Sequence, residues 1–154
     1  VDSPVKYEQD ELRDLLSFFA HEDIREYLTS CLPVENYMAS GVSVHNLNRI
    51  RDEICEGASP GGYIFLHGYL VIASSIGGNV ICLHSPSGRV VWVDHTSFNA
   101  DTISFKDRAT GKWCYLPFTS ENIHKAVIPL NESIESFLED LLLDRLTAQL
   151  DELE

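Results

Sequence analysis

The stretch YLVIASSIGGNVICLHSPSGRVVWVDHTSF, residues 69–98, decides the fold of this chain. Two apolar runs are joined by Gly77-Gly78-Asn79, and a third run follows the sequence Ser-Pro-Ser-Gly at 85–88. Both glycines of the first junction can adopt positive φ at little steric cost. In the second junction the proline fits a type I turn, and Gly88 supplies a left-handed residue after it. The stretch therefore predicts consecutive strands connected by tight turns.

The strands at 79–84 and 89–94 are apolar on both faces. A strand with one face in water alternates apolar and polar residues, whereas a strand covered on both sides does not. These two strands are therefore expected to lie centrally in the sheet, with other elements packed on each face.

Helical spacing of apolar residues marks the sequence on either side of these strands. Capping residues and prolines set several of the boundaries, such as Ser120 or Thr119 before a short helix. Helices are predicted at 8–20, from Asp23 to just before Pro33, and at 43–56, 120–127 and 131–150. Strands are predicted at 63–66, 69–75, 79–84, 89–94, 102–106 and 112–116.

The order of these elements predicts an α+β fold in a single domain over residues 1–154. N-terminal helices precede a central, largely antiparallel sheet of about six strands. C-terminal helices pack on that sheet. Alternating βαβ units are not written in this order.

The charge of the chain is negative and unevenly placed. The net charge is −13, and residues 1–60 carry −7, residues 61–130 carry +1 and residues 131–154 carry −7. Nucleic acid is a poor partner for such a chain, because phosphate binding needs clustered Lys and Arg. The acidity suits a basic protein partner or serves solubility alone.

No segment has the features of a membrane span, a signal peptide or a metal site. No apolar run approaches the ~20 residues of a membrane-spanning helix, and the N-terminal sequence lacks the basic start and apolar stretch of a signal peptide. The four cysteines are isolated, which predicts reduced, mostly buried thiols in a cytoplasmic protein. We expect no metal, no cofactor and no membrane partner; the oligomeric state stays open between a monomer and a weak dimer.

The Asp94-His95 pair raises the question of catalysis. Neighbouring residues on a strand point to opposite faces, so these two cannot act on each other as orienting acid and base. Asp94 is expected to cap a turn and His95 to form local hydrogen bonds. Trp92 and Trp113 are interpreted as core or edge aromatics, with a binding surface as the alternative. The chain is therefore predicted not to be an enzyme. A hydrolase with two converging carboxylates stays open as an alternative hypothesis.

The opening stretch resembles the core signature of the SUKH superfamily. In that family a Gly-Gly-Asn turn is followed by an apolar strand, a turn and Gly-x-Val-x-x-x-Asp-His, and the matching residues here are Gly77, Gly78, Asn79, Gly88, Val90, Asp94 and His95. SIESFLEDLL, residues 133–142, is similar to the family's C-terminal helix. The resemblance covers about residues 63–142. Members of the family usually carry an N-terminal Leu-Pro-x-x-Tyr-x-x-Phe segment that is followed by Asn-Gly-Gly. Residues 1–60 depart from this pattern, since they contain only CLPVENYMASG at 31–41, without the Asn-Gly-Gly.

The resemblance implies a non-enzymatic protein-binding module. Many bacterial members look like immunity proteins that neutralise a toxin made alongside them, and fungal relatives regulate cell-wall synthesis. An immunity protein against a basic toxin, possibly a nuclease, is therefore the expected function. A regulatory or scaffold protein without a toxin partner is the alternative.

Two polar surfaces are candidates for the partner contact. One is the loop after the Trp92 strand, because loops at the ends of rigid elements commonly carry binding residues. The other is the C-terminal helix. The candidate residues are Asp94, His95, Asn99 and Asp101 in the loop and Glu135, Glu139 and Asp144 on the helix, with Gly77, Gly78, Asn79, Gly88 and Trp92 as the structural motif.

Overall fold

The structure is a computed structural model that describes residues 22–55 and 60–153. The helix predicted at 8–20 lies outside these residues. In the described part, six helices and eight strands follow one another along the chain. The helices are α1 Glu22–Glu26 (continued by a π-helical turn, Tyr27–Cys31), α2 Leu47–Cys55, α3 Gly61–Ile64 (continued by a 3-10 turn, Phe65–His67), α4 Ser120–Ala126, α5 Ile134–Leu142 and α6 Thr147–Leu153. The strands are β1 Tyr37–Ala39, β2 Val42–Val44, β3 Tyr69–Ser75, β4 Val80–His84, β5 Val90–Val93, β6 Thr102–Lys106, β7 Trp113–Pro117 and β8 Val127–Asn131.

Six of the strands form one antiparallel sheet in the order β1-β2-β3-β4-β5-β8. The pairing of Ile81 with Trp92 fixes the register at the centre of the sheet. Strands β6 and β7 form a separate antiparallel hairpin. The α+β class, the antiparallel sheet and the C-terminal helices after it are confirmed.

The two faces of β3, β4 and β5 bury different sets of side chains, as the sequence predicts. On one face, side chains such as Leu70, Ile81 and Trp92 pack against α1, α2, α5 and α6. On the other face, side chains such as Cys82 and Val93 pack against α3, α4 and the β6–β7 hairpin. Each side chain buried this way contributes roughly 1.5–3 kcal/mol, which makes these three strands the framework of the domain.

The turns that connect the central strands have the expected backbone conformations. Gly78 has a φ of 86° between β3 and β4, and Gly88 has a φ of 69° between β4 and β5. The Gly88 amide donates to the His84 carbonyl at 2.8 Å, which closes the second turn. Non-glycine residues rarely adopt such positive φ values, which explains why glycine occupies both positions.

The prediction of a strand at 63–66 is wrong. Those residues belong to α3 and to the 3-10 turn that continues it, and the segment ends at Gly68, whose φ is 91°. A short apolar run fits a buried helix as well as a strand. The left-handed glycine after the run is a helix C-terminal signal and was the better guide.

The predicted helix at 43–56 also needs correction, because its first residues belong to strand β2. Val44 pairs with Ala73 of β3, and the helix begins only at Leu47. The Asn46 side chain accepts a hydrogen bond from the Arg49 amide at 3.0 Å, which caps the first turn of α2. The hairpin of β1 and β2 was not predicted.

The predicted helix at 131–150 is two helices preceded by a strand residue. Asn131 ends β8, Ser133 caps α5 by accepting a hydrogen bond from the Ser136 amide at 3.1 Å, and α5 ends at Leu142. Asp144 then adopts a φ of 55°, which a continuous right-handed helix excludes. No helix among the described residues combines the length and the apolar character that crossing a membrane requires.

Candidate functional site

The motif residues around Asp94 form one hydrogen-bonded corner where β5 ends. The side chain of Asn79 is buried, with 7% of its surface exposed. Its Oδ1 accepts from the backbone amide of His95 at 3.0 Å and from Nδ1 of the same residue at 2.8 Å. The shared oxygen can only accept, so Nδ1 carries a proton and donates it. Asn79 thereby fastens the β3–β4 turn to the segment after β5.

Asp94 acts within its own turn. Its Oδ1 accepts from the Thr96 amide at 2.8 Å and from the Thr96 hydroxyl at 2.6 Å. This is the Asx-type arrangement that side chains of Asp adopt at turns. Oδ1 of Asp94 lies 3.9 Å from Nδ1 of His95, the nitrogen that already donates to Asn79. The two residues therefore serve the scaffold at this corner.

The other two loop candidates have separate positions. The Asn99 side chain accepts from the amides of Asp101 and Thr102 at 3.0 and 2.7 Å, so it stabilises the entry to β6. Asp101 is exposed, and its backbone carbonyl accepts from the Phe118 amide at 3.0 Å. Asp101 is therefore the loop candidate with an exposed carboxylate that accepts no hydrogen bond within a turn.

The three candidates at the C-terminal helix comprise two exposed carboxylates and one that is engaged in hydrogen bonds. Glu135 and Glu139 are exposed one turn apart on α5, and Glu139 lies 3.7 Å from the Arg145 guanidinium. Asp144 is instead engaged by two hydroxyls, Thr147 at 2.7 Å and Ser40 at 2.8 Å. These hydrogen bonds, from Thr147 first and then Ser40, lower the pKa of Asp144. Asp144 thus links the start of α6 to the β1–β2 turn.

The loop and helix candidates begin at different ends of the sheet. Asp94 follows Val93, which pairs with Val127 at the start of β8. Helix α5 begins after Asn131, which pairs with Val90 at the other end of the same two strands. The structure therefore presents two surfaces and not one combined site.

The exposed carboxylates of α1, α5 and α6 form what we call the acidic helical layer. All three helices contribute apolar side chains to the same face of the sheet, so their outer surfaces share one side of the molecule. Between residues 133 and 153 there are six carboxylates and one arginine. The exposed members of the layer are Glu22, Glu26, Glu135, Glu139, Asp151 and Glu152.

Four bases, which we call the basic cluster, are carried by elements that pack on the other face of the sheet, and they gather near its β8 edge. They are Lys106, Arg108 and Lys112 on the β6–β7 hairpin and Lys125 on α4. None of the four forms an ion pair within the part of the chain that the structure describes. Three of them line a cavity of about 520 Å³ together with Trp92 and Trp113. Sequence reasoning did not find this cavity, because its walls come from segments up to sixty residues apart.

A serine and a histidine also meet without having been predicted. Nδ1 of His67 lies 2.8 Å from the Ser120 hydroxyl, beside a second cavity of about 450 Å³ that His84 and His124 also line. A hydrolytic triad needs a third group that orients the histidine. Across residues 22–55 and 60–153 no carboxylate contacts His67, so the pair lacks that group.

Several titratable groups are held neutral inside the core. Burial, and to a lesser extent the charge of Arg49, lowers the pKa of His45 to about 4. Burial raises the pKa of the Cys82 thiol, which keeps it protonated and unreactive. Cys31 is exposed and Cys114 half-buried, so the expectation of mostly buried thiols holds for Cys82 only among these three.

Metal ligands do not converge in the described residues: no group of three His, Cys, Asp or Glu side chains there could hold an ion. Comparison of the chain with protein-family models, with curated proteins and with solved structures yields no match. The SUKH resemblance therefore stays a prediction from the motif residues.

Proposed function

We propose that this chain is a non-enzymatic protein-binding module that recognises a basic protein. In line with the SUKH resemblance, we propose that the partner is a bacterial toxin, with an immunity protein as the biological role. A basic nuclease domain is the kind of toxin that the charge of the chain suits. The chemistry of the proposal is charge complementarity between carboxylates and a Lys- and Arg-rich surface.

The segregation of charge across the sheet carries this proposal. The acidic helical layer presents carboxylates outside α1, α5 and α6, and the unpaired bases are carried by the β6–β7 hairpin and α4; only at the β8 edge does a layer residue, Glu152, lie beside the bases in the described part of the chain. Carboxylates distributed for solubility alone need not be separated from the bases in this way. A one-sided negative surface raises the rate at which a basic partner arrives and orients it on arrival.

Glu135 and Glu139 are the best placed residues for the first contact. They are exposed, lie one helical turn apart, and are free of the turn hydrogen bonds that engage Asp94 and Asp144. Exposed charges of this kind mainly change the association rate and its dependence on salt. A carboxylate that becomes desolvated in the complex would instead change the dissociation rate.

The proposal is tested by calorimetry and stopped-flow binding with the product of the adjacent gene. The Glu135→Gln/Glu139→Gln double variant is compared with the Asp94→Asn/Asp101→Asn variant, which removes the same charge from the loop surface. We expect the helix variant to associate more slowly and to lose part of the salt dependence, while the loop variant changes association less.

Two outcomes count against the proposal. Absence of binding by the wild-type chain contradicts the partnership for that gene product. Tight binding that is independent of salt shows that the acidity serves solubility, and places the interface among apolar residues.

A further inference from the structure

The cavity beside the basic cluster lies at one edge of the main sheet. Its walls come from the ends of β5 and β8, the β6–β7 hairpin and the C-terminal helix α6. Its volume of about 520 Å³ falls in the range of roughly 300–1,000 Å³ that small-molecule sites occupy. Glu152 of the acidic helical layer is one of its lining residues, so the cavity borders the surface to which the protein partner is assigned.

The cationic side chains of the cavity carry hydrogen-bond donors that are not engaged in ion pairs with other described residues. Lys106, Arg108 and Lys125 line it, and no ion pair engages any of them within the described residues. The chain has 24 acidic and 11 basic residues, so acids outnumber bases about two to one and yet leave these bases unpaired among the described residues. The described bases Arg49, Arg51, Arg89 and Arg145 all form such pairs.

Three carboxylates line the same cavity: Glu152 of α6 is exposed, and the other two accept hydrogen bonds within turns. Asp94 accepts two hydrogen bonds from Thr96, and Asp107 accepts one from the Ala109 amide at 2.9 Å. Both acids serve the turns in which they sit. The lysine and arginine side chains form no such turn hydrogen bonds. Their N–H groups can therefore donate to an anion that enters the cavity.

Aromatic rings form the apolar part of the cavity. Trp113 lines it with 48% of its surface exposed, and Phe105 is half-buried beside it. Trp92 is 2% exposed, and its indole N–H has no acceptor within the described part of the protein. The Arg108 guanidinium carbon lies 5.9 Å from the centroid of the Trp92 ring, so charge and aromatic surface adjoin.

We propose that this cavity binds a small aromatic phosphate ester. Ring surfaces next to ammonium and guanidinium groups match a planar body that carries a phosphate group. An arginine fork and two lysines suit a dianion with three oxygens better than a single carboxylate. Three carboxylates also line the cavity, but Asp94 and Asp107 already accept hydrogen bonds in their turns, so the lysine and arginine donors are the groups left to contact a phosphate.

Intrinsic fluorescence tests the proposal directly, because the chain contains two tryptophans and both line the cavity. The probes are adenosine 5′-monophosphate and phenyl phosphate. Adenosine, which has the aromatic base but no phosphate, and inorganic phosphate, which has no ring, are the controls. We expect a saturable change of tryptophan emission with both esters. Affinity for the monophosphate is expected to exceed that for adenosine by about tenfold or more, the effect of one charge-assisted hydrogen bond.

Matched charge variants locate the site. Arg108→Gln and Lys125→Gln are each expected to weaken binding about tenfold. Lys112→Gln removes the same charge from the same hairpin, and Lys112 does not line the cavity, so binding should stay within about twofold. The Trp113→Phe variant should still report binding through Trp92.

Either of two results overturns the proposal. One is the absence of a saturable response to both esters at millimolar concentration in the wild-type chain. The other is a loss on Lys112→Gln as large as that on Arg108→Gln and Lys125→Gln, because it would show attraction by general charge and not a site.

Discussion

Replacement of Asn79 by alanine removes the hydrogen bonds that fasten the β3–β4 turn to the end of β5. The side-chain oxygen accepts two of them, at 3.0 and 2.8 Å, both from His95. A hydrogen bond contributes about 0.5–1.5 kcal/mol net, and Asn79 is buried, so water does not readily take the place of its oxygen. We therefore expect the loss of two such bonds in Asn79→Ala to lower the free energy of unfolding by about 1–3 kcal/mol.

Asn99→Ala is the matched control. The Asn99 oxygen also accepts two hydrogen bonds, from the amides of Asp101 and Thr102, but this residue is exposed. Water can replace the lost oxygen there, so the expected cost is about 0.5–1 kcal/mol. Asn79→Asp retains the accepting oxygens and should keep more than half of the stability that the alanine variant loses.

Urea denaturation followed by tryptophan fluorescence measures all three variants, since Trp92 is 2% exposed and reports unfolding of the core. Equal losses for Asn79→Ala and Asn99→Ala, within about 0.5 kcal/mol, would refute the reasoning that burial of the corner makes its hydrogen bonds strong. Similar losses for Asn79→Ala and Asn79→Asp would show that the accepting oxygen is not the cause.

Three further predictions concern a turn, a buried histidine and a helix cap. Gly78 has a φ of 86°, so Gly78→Val should cost about 1–3 kcal/mol in urea denaturation, and Gly78→Asn clearly less because asparagine tolerates positive φ; equal costs would contradict this. The pKa of His45 is about 4 in the fold against an ordinary value near 6.5, so the unfolded chain takes up the proton first and stability should fall by about 2 kcal/mol from pH 7 to pH 5. The lowered pKa of His84 acts in the same direction, and His45→Gln should flatten the pH profile of the unfolding free energy; an unchanged profile would assign the effect to other groups. Ser133→Ala removes the cap of α5 and should cost about 1 kcal/mol, whereas Ser133→Asp, which can also cap, should cost little; a neutral alanine variant would show that the cap does not stabilise α5.

The central strands could be predicted from sequence because pattern and turn chemistry agree there. The bounds 69–75 and 102–106 match β3 and β6, and the apolar character of β4 and β5 on both faces reflects their two covered sides. The short strands at the edges of the sheet were harder to predict from sequence. Strand β8 contains Pro129, which lowers a strand prediction, yet β8 lies at the edge of the sheet, where a missing amide donor is tolerated.

The helix errors have a common cause. Val44 continues the helical spacing of Leu47 and Ile50, but its pairing with β3 overrides the pattern. The apolar spacing of α5 and α6 also runs on without interruption in the sequence. Asp144, whose left-handed backbone divides them, accepts a hydrogen bond from Ser40, a residue far away in the chain that no local pattern includes.

The candidate sites were partly accessible from sequence. The turn role of Asp94 was predicted correctly, because a carboxylate at a strand end readily accepts from the amide two residues on. The hydrogen bonds of His95 are not local in sequence, since their acceptor Asn79 lies sixteen residues away. The role of Asn79 as the partner of His95, the cavity next to Trp113 and the contact of His67 with Ser120 depend on tertiary packing. No spacing in the sequence marks residues that meet only in the folded chain.

Protection of cells from the product of the adjacent gene measures the proposed immunity function most directly. Cells that express that product are grown with the wild-type chain, with the Glu135→Gln/Glu139→Gln variant, or with neither. We expect the wild-type chain to restore growth and the variant to restore it less, in proportion to its slower association. Growth with the wild-type chain that is no better than without it would contradict the immunity function for this gene pair.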